Sequence, residues 1–223
     1  MGKIMEAIFC VAYLIVTFIL GVSIIKKAKG DKEGKLFGIM SLILVSGDAF
    51  HLVPRIMAVI DRGGDYTKAM GIGTLITSIT MTIFYLIMYC ILEIRSNDKN
   101  KQLKICMIGL AAIRIILCLM PQNDWTGESP VSWGIYRNIP FVIMGIIMII
   151  LYYKRRNDKP YRFMWLAILL SFAFYIPVVL WADVNPMIGM FMLPKTCMYV
   201  WMVVMGYRDH RDGPNATVMC TLA

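Results

Sequence analysis

Seven long apolar runs, separated by short polar stretches rich in lysine and arginine, constrain this chain more than any other feature. They cover residues 4–25, 36–60, 70–94, 103–120, 133–153, 163–182 and 187–207. Each is about 18–25 residues, the length a helix needs to cross roughly 30 Å of hydrocarbon. The runs are continuous and lack the strict alternation of barrel strands, so each crossing reads as a helix. The expected fold is all-α: a polytopic integral membrane protein with seven transmembrane helices. Composition supports this, because 59% of the 223 residues are hydrophobic and only 17% are charged. A soluble body of that size could not hide so much apolar surface, whereas lipid can cover it.

Orientation follows from the loops. Lys26, Lys27, Lys29, Lys32 and Lys35 follow the first run, and Arg95, Lys99, Lys101 and Lys104 follow the third. Lys154, Arg155, Arg156, Lys159 and Arg162 follow the fifth, with Arg208 and Arg211 beyond the seventh. The segments on the other side carry little more than Lys3, Arg62 and Lys68. Basic loops stay inside, which predicts an external N-terminus and a cytoplasmic C-terminus in the cell membrane. Residues 1–207 then form the seven-helix domain and residues 208–223 a short cytoplasmic tail. The first run is too long for a signal-peptide core and is followed at once by Lys26 and Lys27, so it reads as an uncleaved anchor.

The net charge of +9 is accounted for by these loops and calls for no nucleic acid partner. Six cysteines without a paired spacing, and only two histidines, give neither a disulfide framework nor a metal or other cofactor site. In the tail, Asn215-Ala-Thr217 matches a glycosylation sequon on the wrong side of the membrane. Residues from Cys220 to the end formally fit a prenylation box that seven spans make redundant.

Charge inside the runs is the informative exception, since each ionised group in a bilayer costs about 2.5–3.5 kcal/mol on insertion scales. The second run carries Asp48, His51 and Arg55, whose spacing puts all three on one helical face. Arg114 lies deep in the fourth run and Lys195 in the outer third of the seventh. Arg137 and Asn138 open the fifth, while Asp183 closes the sixth. This set gathers in one leaflet and its balance is cationic. The plain structural expectation pairs Asp48 with Lys195 or Arg114 and lets Arg55 and Arg137 reach toward the surface. The functional expectation is a polar pocket open to the outside, formed by Asp48, His51, Arg55, Arg114, Arg137, Asn138, Asp183 and Lys195.

Other features bear on how the helices meet. Gly71, Gly73 and a run of threonines in the third span predict close packing with hydroxyls bonded to neighbouring backbone. Glu93 and Arg95 read as interfacial. Pro54, Pro177 and Pro194 lie toward the outer ends of their spans, where irregular backbone faces protein or a cavity. The longest outer loop, residues 121–133, reads as an interfacial segment anchored by Trp125 and Trp133, or as a lid. The stretches 35–54 and 162–177 resemble each other, each following a basic loop and ending in proline, which suggests a 3+1+3 parallel repeat.

Three functional classes fit these residues. The first is a transporter-like or ligand-binding protein with an outward-facing, net-cationic cavity for a small anionic or zwitterionic ligand, among membrane lipids as its surroundings. The second is a lipid-modifying enzyme using Asp48 and His51 as an acid–base pair. The third is a seven-helix receptor or photoreceptor. The serines of the Ser41–Asp48 stretch, followed by Gly47 and Asp48, resemble a short piece of membrane lysoplasmalogenases; the resemblance ends there and carries no site residue over. Phe174, Tyr175 and Pro177 are similar to an aromatic-proline run in the sixth helix of microbial rhodopsins. Lys195 nevertheless follows Pro177 more closely than in that family, and the third span has no mid-membrane carboxylate to balance a protonated Schiff base.

Overall fold

Two helix starts in this chain, those after Asp31 and Asn100, are set by short polar side chains that satisfy the first free backbone N–H groups. The computed structural model describes residues 2–61, 64–96, 100–127, 129–159, 161–182 and 184–211. Asp183, the Asn215 sequon and the Cys220 box lie outside the described residues. Seven α-helices result: α1 (Gly2–Lys27), α2 (Lys32–Ile60), α3 (Thr67–Ser96), α4 (Lys101–Leu119), α5 (Val131–Lys154), α6 (Met164–Trp181) and α7 (Met192–Arg211). All seven segments are long and apolar enough to cross a membrane. Among the described residues there is no strand.

The connection from α1 to α2 reverses through Lys29 and Gly30, both at positive φ, with Gly30 at 103°. Asp31 then caps α2 by accepting from the N–H groups of Glu33 and Gly34. Asn100 caps α4 through the Leu103 N–H. Asp65 accepts from the Thr67 N–H at 3.0 Å before α3, and these hydrogen bonds hold its carboxyl below the usual range. The seventh crossing begins at Met187, as the sequence predicts, but its first residues are not α-helical. Residues Pro186–Phe191 form 3-10 turns capped by Asn185, and the α-helix proper starts at Met192.

Short connections make chain neighbours antiparallel. Each helix packs on the next in sequence, α7 closes on α1, and α3 also meets α5. The bundle is therefore a ring in chain order. The basic loops gather at one end, and the residues near Arg55, Lys195 and the α4–α5 loop lie at the other.

Two apolar faces per helix show how the ring is stabilised. On α5, Ile139, Ile143, Ile146 and Ile150 face outward, while Phe141, Met144, Met148 and Tyr152 are buried. On α4 the buried stripe is Met107, Ala111, Arg114 and Cys118, a helical spacing that carries an arginine inward among apolar residues. Because lipid tails are as apolar as the core, close backbone approach and hydroxyl bonds hold the helices together. Thr77 donates to the Gly47 carbonyl at 2.9 Å, joining α3 to α2. A Cβ at Gly73 would collide with the Phe50 carbonyl and one at Gly71 with the Trp125 carbonyl, as the small residues predict.

At the basic end, Arg95 is not merely interfacial. Its guanidinium donates to Glu33 at 2.8 Å, to Asp209 at 2.6 Å and to the Lys159 carbonyl at 3.2 Å. It also lies over the Tyr161 ring. One side chain of α3 thus ties together α2, α7 and the α5–α6 connection. Glu93 pairs with Lys104 across the α3–α4 turn at 2.8 Å, and His210 bonds the Gly206 carbonyl with Asp31 3.3 Å from its other nitrogen.

Candidate functional site

A cavity of about 290 Å³ lies between α2, α3, α4, α5, α6 and α7, at the end opposite the basic loops. Asp48, His51, Arg55, Arg114, Arg137, Asn138 and Lys195 all line it. Six helices and the end of the α4–α5 loop supply its walls, and Met81, Phe141, Val178 and Val179 add apolar surface.

Asp48 interacts electrostatically with Lys195, as a purely structural reading expects, but among the described residues it makes no direct salt bridge with Lys195 or Arg114. Its direct partner is the Tyr13 hydroxyl of α1, which donates to the carboxylate at 2.5 Å. Nor does Arg55 simply reach for the surface, because its guanidinium is 2.5 Å from the Glu6 carboxylate, also on α1. His51 lies 3.1 Å from the Thr74 hydroxyl, which itself donates to the Met70 carbonyl at 2.8 Å. The Thr74 proton is thereby committed, so the neutral ring holds its own proton on Nδ1 and keeps Nε2 as an acceptor. No hydrogen bond joins Asp48 to His51 among the described residues, and the two are not assembled as an acid–base pair.

The α4–α5 loop is tied down. The buried Asn123 amide donates to the Leu117 and Met120 carbonyls, closing the end of α4, and Trp125 donates to the Cys118 carbonyl at 2.8 Å. Arg137 donates to Asn123 Oδ1 at 2.8 Å and Ser129 Oγ at 3.2 Å, with its plane over Trp125. Its role here is to fasten this loop beside the cavity.

Arg114 and Lys195 are different. Arg114 is 2% exposed and enters no ion pair among the described residues. Its Nε and Nη1 have no hydrogen-bond partner. Its guanidinium lies 3.4 Å from the centre of the Phe141 ring, which packs edge-on against Tyr85 at 5.1 Å. Lys195 forms no direct salt bridge among the described residues, although it feels the Asp48 charge; its ammonium donates to Met192 Sδ at 4.0 Å and lies 4.2 Å from the centre of the Tyr175 ring. Aromatic faces offset part of the charge but leave the N–H donors unspent. Buried donors normally find acceptors, and those that do not are expensive. The cavity can therefore supply the unspent donors of Arg114, with the Lys195 ammonium nearby, to an anion.

Tyr175 donates to Asn138 Oδ1 at 2.9 Å, and Asn138 Nδ2 donates to the Gly134 carbonyl. This places Asn138 in the wall. Sequence reasoning missed Glu6, Tyr13, Tyr175 and Phe141, which decide which charges are satisfied and which are left over. Comparison with known proteins adds no identity: no family model, curated protein or solved structure matches this chain.

Proposed function

We propose that the protein binds a small anionic or zwitterionic ligand in this cavity and acts as a transporter-like membrane protein. The observation that carries this reading is the buried, unpaired Arg114 beside Lys195 in a space large enough for a ligand. The other cations lining the cavity, Arg55 and Arg137, already have partners. A bundle held together by charge would pair all of them. A planar guanidinium with free donors suits a carboxylate or phosphate, and the nearby ammonium adds a second positive charge.

In this reading the basic loops lie in the cytoplasm, the N-terminus lies outside, and the cavity opens outward in the cell membrane. The packing order supports a 3+1+3 parallel repeat. The α1–α2 and α2–α3 contacts recur as α5–α6 and α6–α7, and α1–α7 has its counterpart in α5–α3. Rocking of the halves about a fixed site is the movement such repeats provide.

The test is a thermal unfolding panel of the purified protein in nanodiscs with inorganic phosphate, hexanoate and glutamate. At least one anion raises the midpoint of the wild type, and the shift vanishes in Arg114→Gln with Lys195→Gln. An absence of shift with every anion, or a shift that persists in the double variant, overturns the reading.

A further inference from the structure

A second concavity lies on the outer face of the bundle between α5 and α6, with a volume of about 310 Å³. It is lined by aliphatic side chains such as Ile139, Ile143 and Ile176, all more than a third exposed in a zone that faces lipid. Its inner wall consists of Asn138, Tyr175 and Val179, which line the cationic cavity as well. These three side chains present one side to the cavity and the other to the membrane.

The wall is built to part. One hydrogen bond, from Tyr175 to Asn138, spans it between the two helices. Two residues beyond each partner stands a proline within its helix, Pro140 in α5 and Pro177 in α6. Each proline removes the N–H that would bond the carbonyl four residues earlier, at Tyr136 and Ala173, so both helices can bend there at low cost. The Tyr175 ring also carries the Lys195 ammonium on its face. Movement of Tyr175 therefore opens the groove and uncovers the lysine at once.

We infer that the ligand is a single-chain anionic amphiphile, whose charged head occupies the cavity at Arg114 and Lys195 and whose acyl chain lies in the α5–α6 groove. This rests on the anion-binding reading of the cavity and specifies its substrate class. Charge complementarity selects the head, because the free donors in the cavity lie on cations. The groove selects the tail, because its surface is aliphatic and continuous with the cavity through three shared residues. From Ile135 to Ile143 it runs about 12 Å along α5, enough for an extended alkyl segment. Entry is sideways from the bilayer, so such a ligand need not cross water.

Photolabelling of the protein in nanodiscs tests this with a palmitate carrying a mid-chain diazirine. Label maps to peptides containing Ile139, Ile143 and Ile176. Excess dodecanoate removes it, excess dodecanol does not, and Arg114→Gln abolishes it. A lysophosphatidate competitor distinguishes the sources of charge: displacement only by dodecanoate assigns a carboxylate head, and displacement by both assigns any single-chain anion. Ile139→Trp fills the groove at an exposed position outside the cavity. This variant loses the label at least tenfold while keeping the midpoint shift produced by hexanoate. Label spread evenly over all lipid-facing helices, or unaffected by Ile139→Trp while hexanoate still binds, overturns the amphiphile and leaves the anion cavity standing. Loss of the hexanoate, phosphate and glutamate shifts in the wild type overturns the cavity itself.

Discussion

Replacing Arg114 with methionine separates a structural arginine from a binding one, because the two roles predict opposite signs. The side chain is buried, two of its nitrogens have no partner, and its plane lies on Phe141. Each orphaned donor costs about 1–3 kcal/mol, so the pair costs roughly 2–6 kcal/mol in the unliganded protein. The stacking contributes on the order of 2 kcal/mol in return. Methionine is unbranched, fills a similar channel and makes its own sulfur contact with a ring. The balance favours Arg114→Met by about 2 kcal/mol without ligand. For a chain of this size that raises the unfolding midpoint by about 4–8 °C.

The same change removes the charged donors that an anion would use. Two charge-assisted hydrogen bonds at about 1.5–3 kcal/mol each correspond to a loss of affinity of at least about a hundredfold. Both effects are read in one experiment, a thermal unfolding series in nanodiscs followed by tryptophan fluorescence, with and without hexanoate. The expected result is a higher midpoint without anion and no further rise with it. A lower midpoint without anion refutes the reasoning, since it would mean that Arg114 satisfies the bundle rather than a ligand.

Further expectations concern the contacts that hold the bundle. Arg95→Gln leaves Glu33 and Asp209 without their shared cation and lowers stability by about 2–4 kcal/mol, with Arg95→Lys recovering less than half of it, measured by the same unfolding assay. Gly73→Val drives a side chain into the α2 backbone at Phe50 and His51; the variant should elute as aggregate on size exclusion, whereas Gly109→Ala, where the structure has open space, remains monodisperse. Tyr13→Phe removes the hydrogen bond to Asp48 and costs about 1–2 kcal/mol. Breaking the part-exposed Arg55–Glu6 pair with Glu6→Gln costs less than about 1 kcal/mol.

The sequence made the helices legible because bilayer thickness imposes a length on every apolar run, and α2, α3 and α5 begin and end within a few residues of the expected limits. The seventh run also starts where expected, at Met187, but hydropathy does not show that its first residues form 3-10 turns rather than α-helix. Six ionisable residues and Asn138, chosen for their place in the outer half of the runs, line one cavity, because a helix that carries a charged face must turn it away from lipid. Their partners were harder to see. Tyr13 lies eleven residues after the start of α1 and Asp48 twelve before the end of α2. The depths therefore match and the short α1–α2 turn makes the two helices neighbours, but periodicity alone does not show that Tyr13 turns toward Asp48. Arg114 shows the same limit from the other side. Its inward position follows from the spacing of Met107, Ala111 and Cys118, whereas its lack of a partner depends on what four other helices present.

The two ends of the bundle show why partnership, rather than charge, points to function. The basic end has many charged groups, yet Arg95 and Lys104 each meet a carboxylate, and the cluster joins three elements. Such a network pairs its cations with carboxylates inside the bundle. At the other end Glu6 is taken up by Arg55, and Asp48 accepts from Tyr13 while its charge faces Lys195, so among the described residues Arg114 is the cation left without a carboxylate. The surplus is thus positive, deep, and placed beside a groove through which an apolar chain could enter. If a ligand neutralises that surplus, the free energy released is available to separate Tyr175 from Asn138 and to move α6 against α5. Transport would additionally require the Arg95 cluster to open at the far end. Arg95→Gln should therefore speed passage of a bound anion across the membrane of a proteoliposome without weakening its binding. Slower passage would assign the cluster to scaffolding alone.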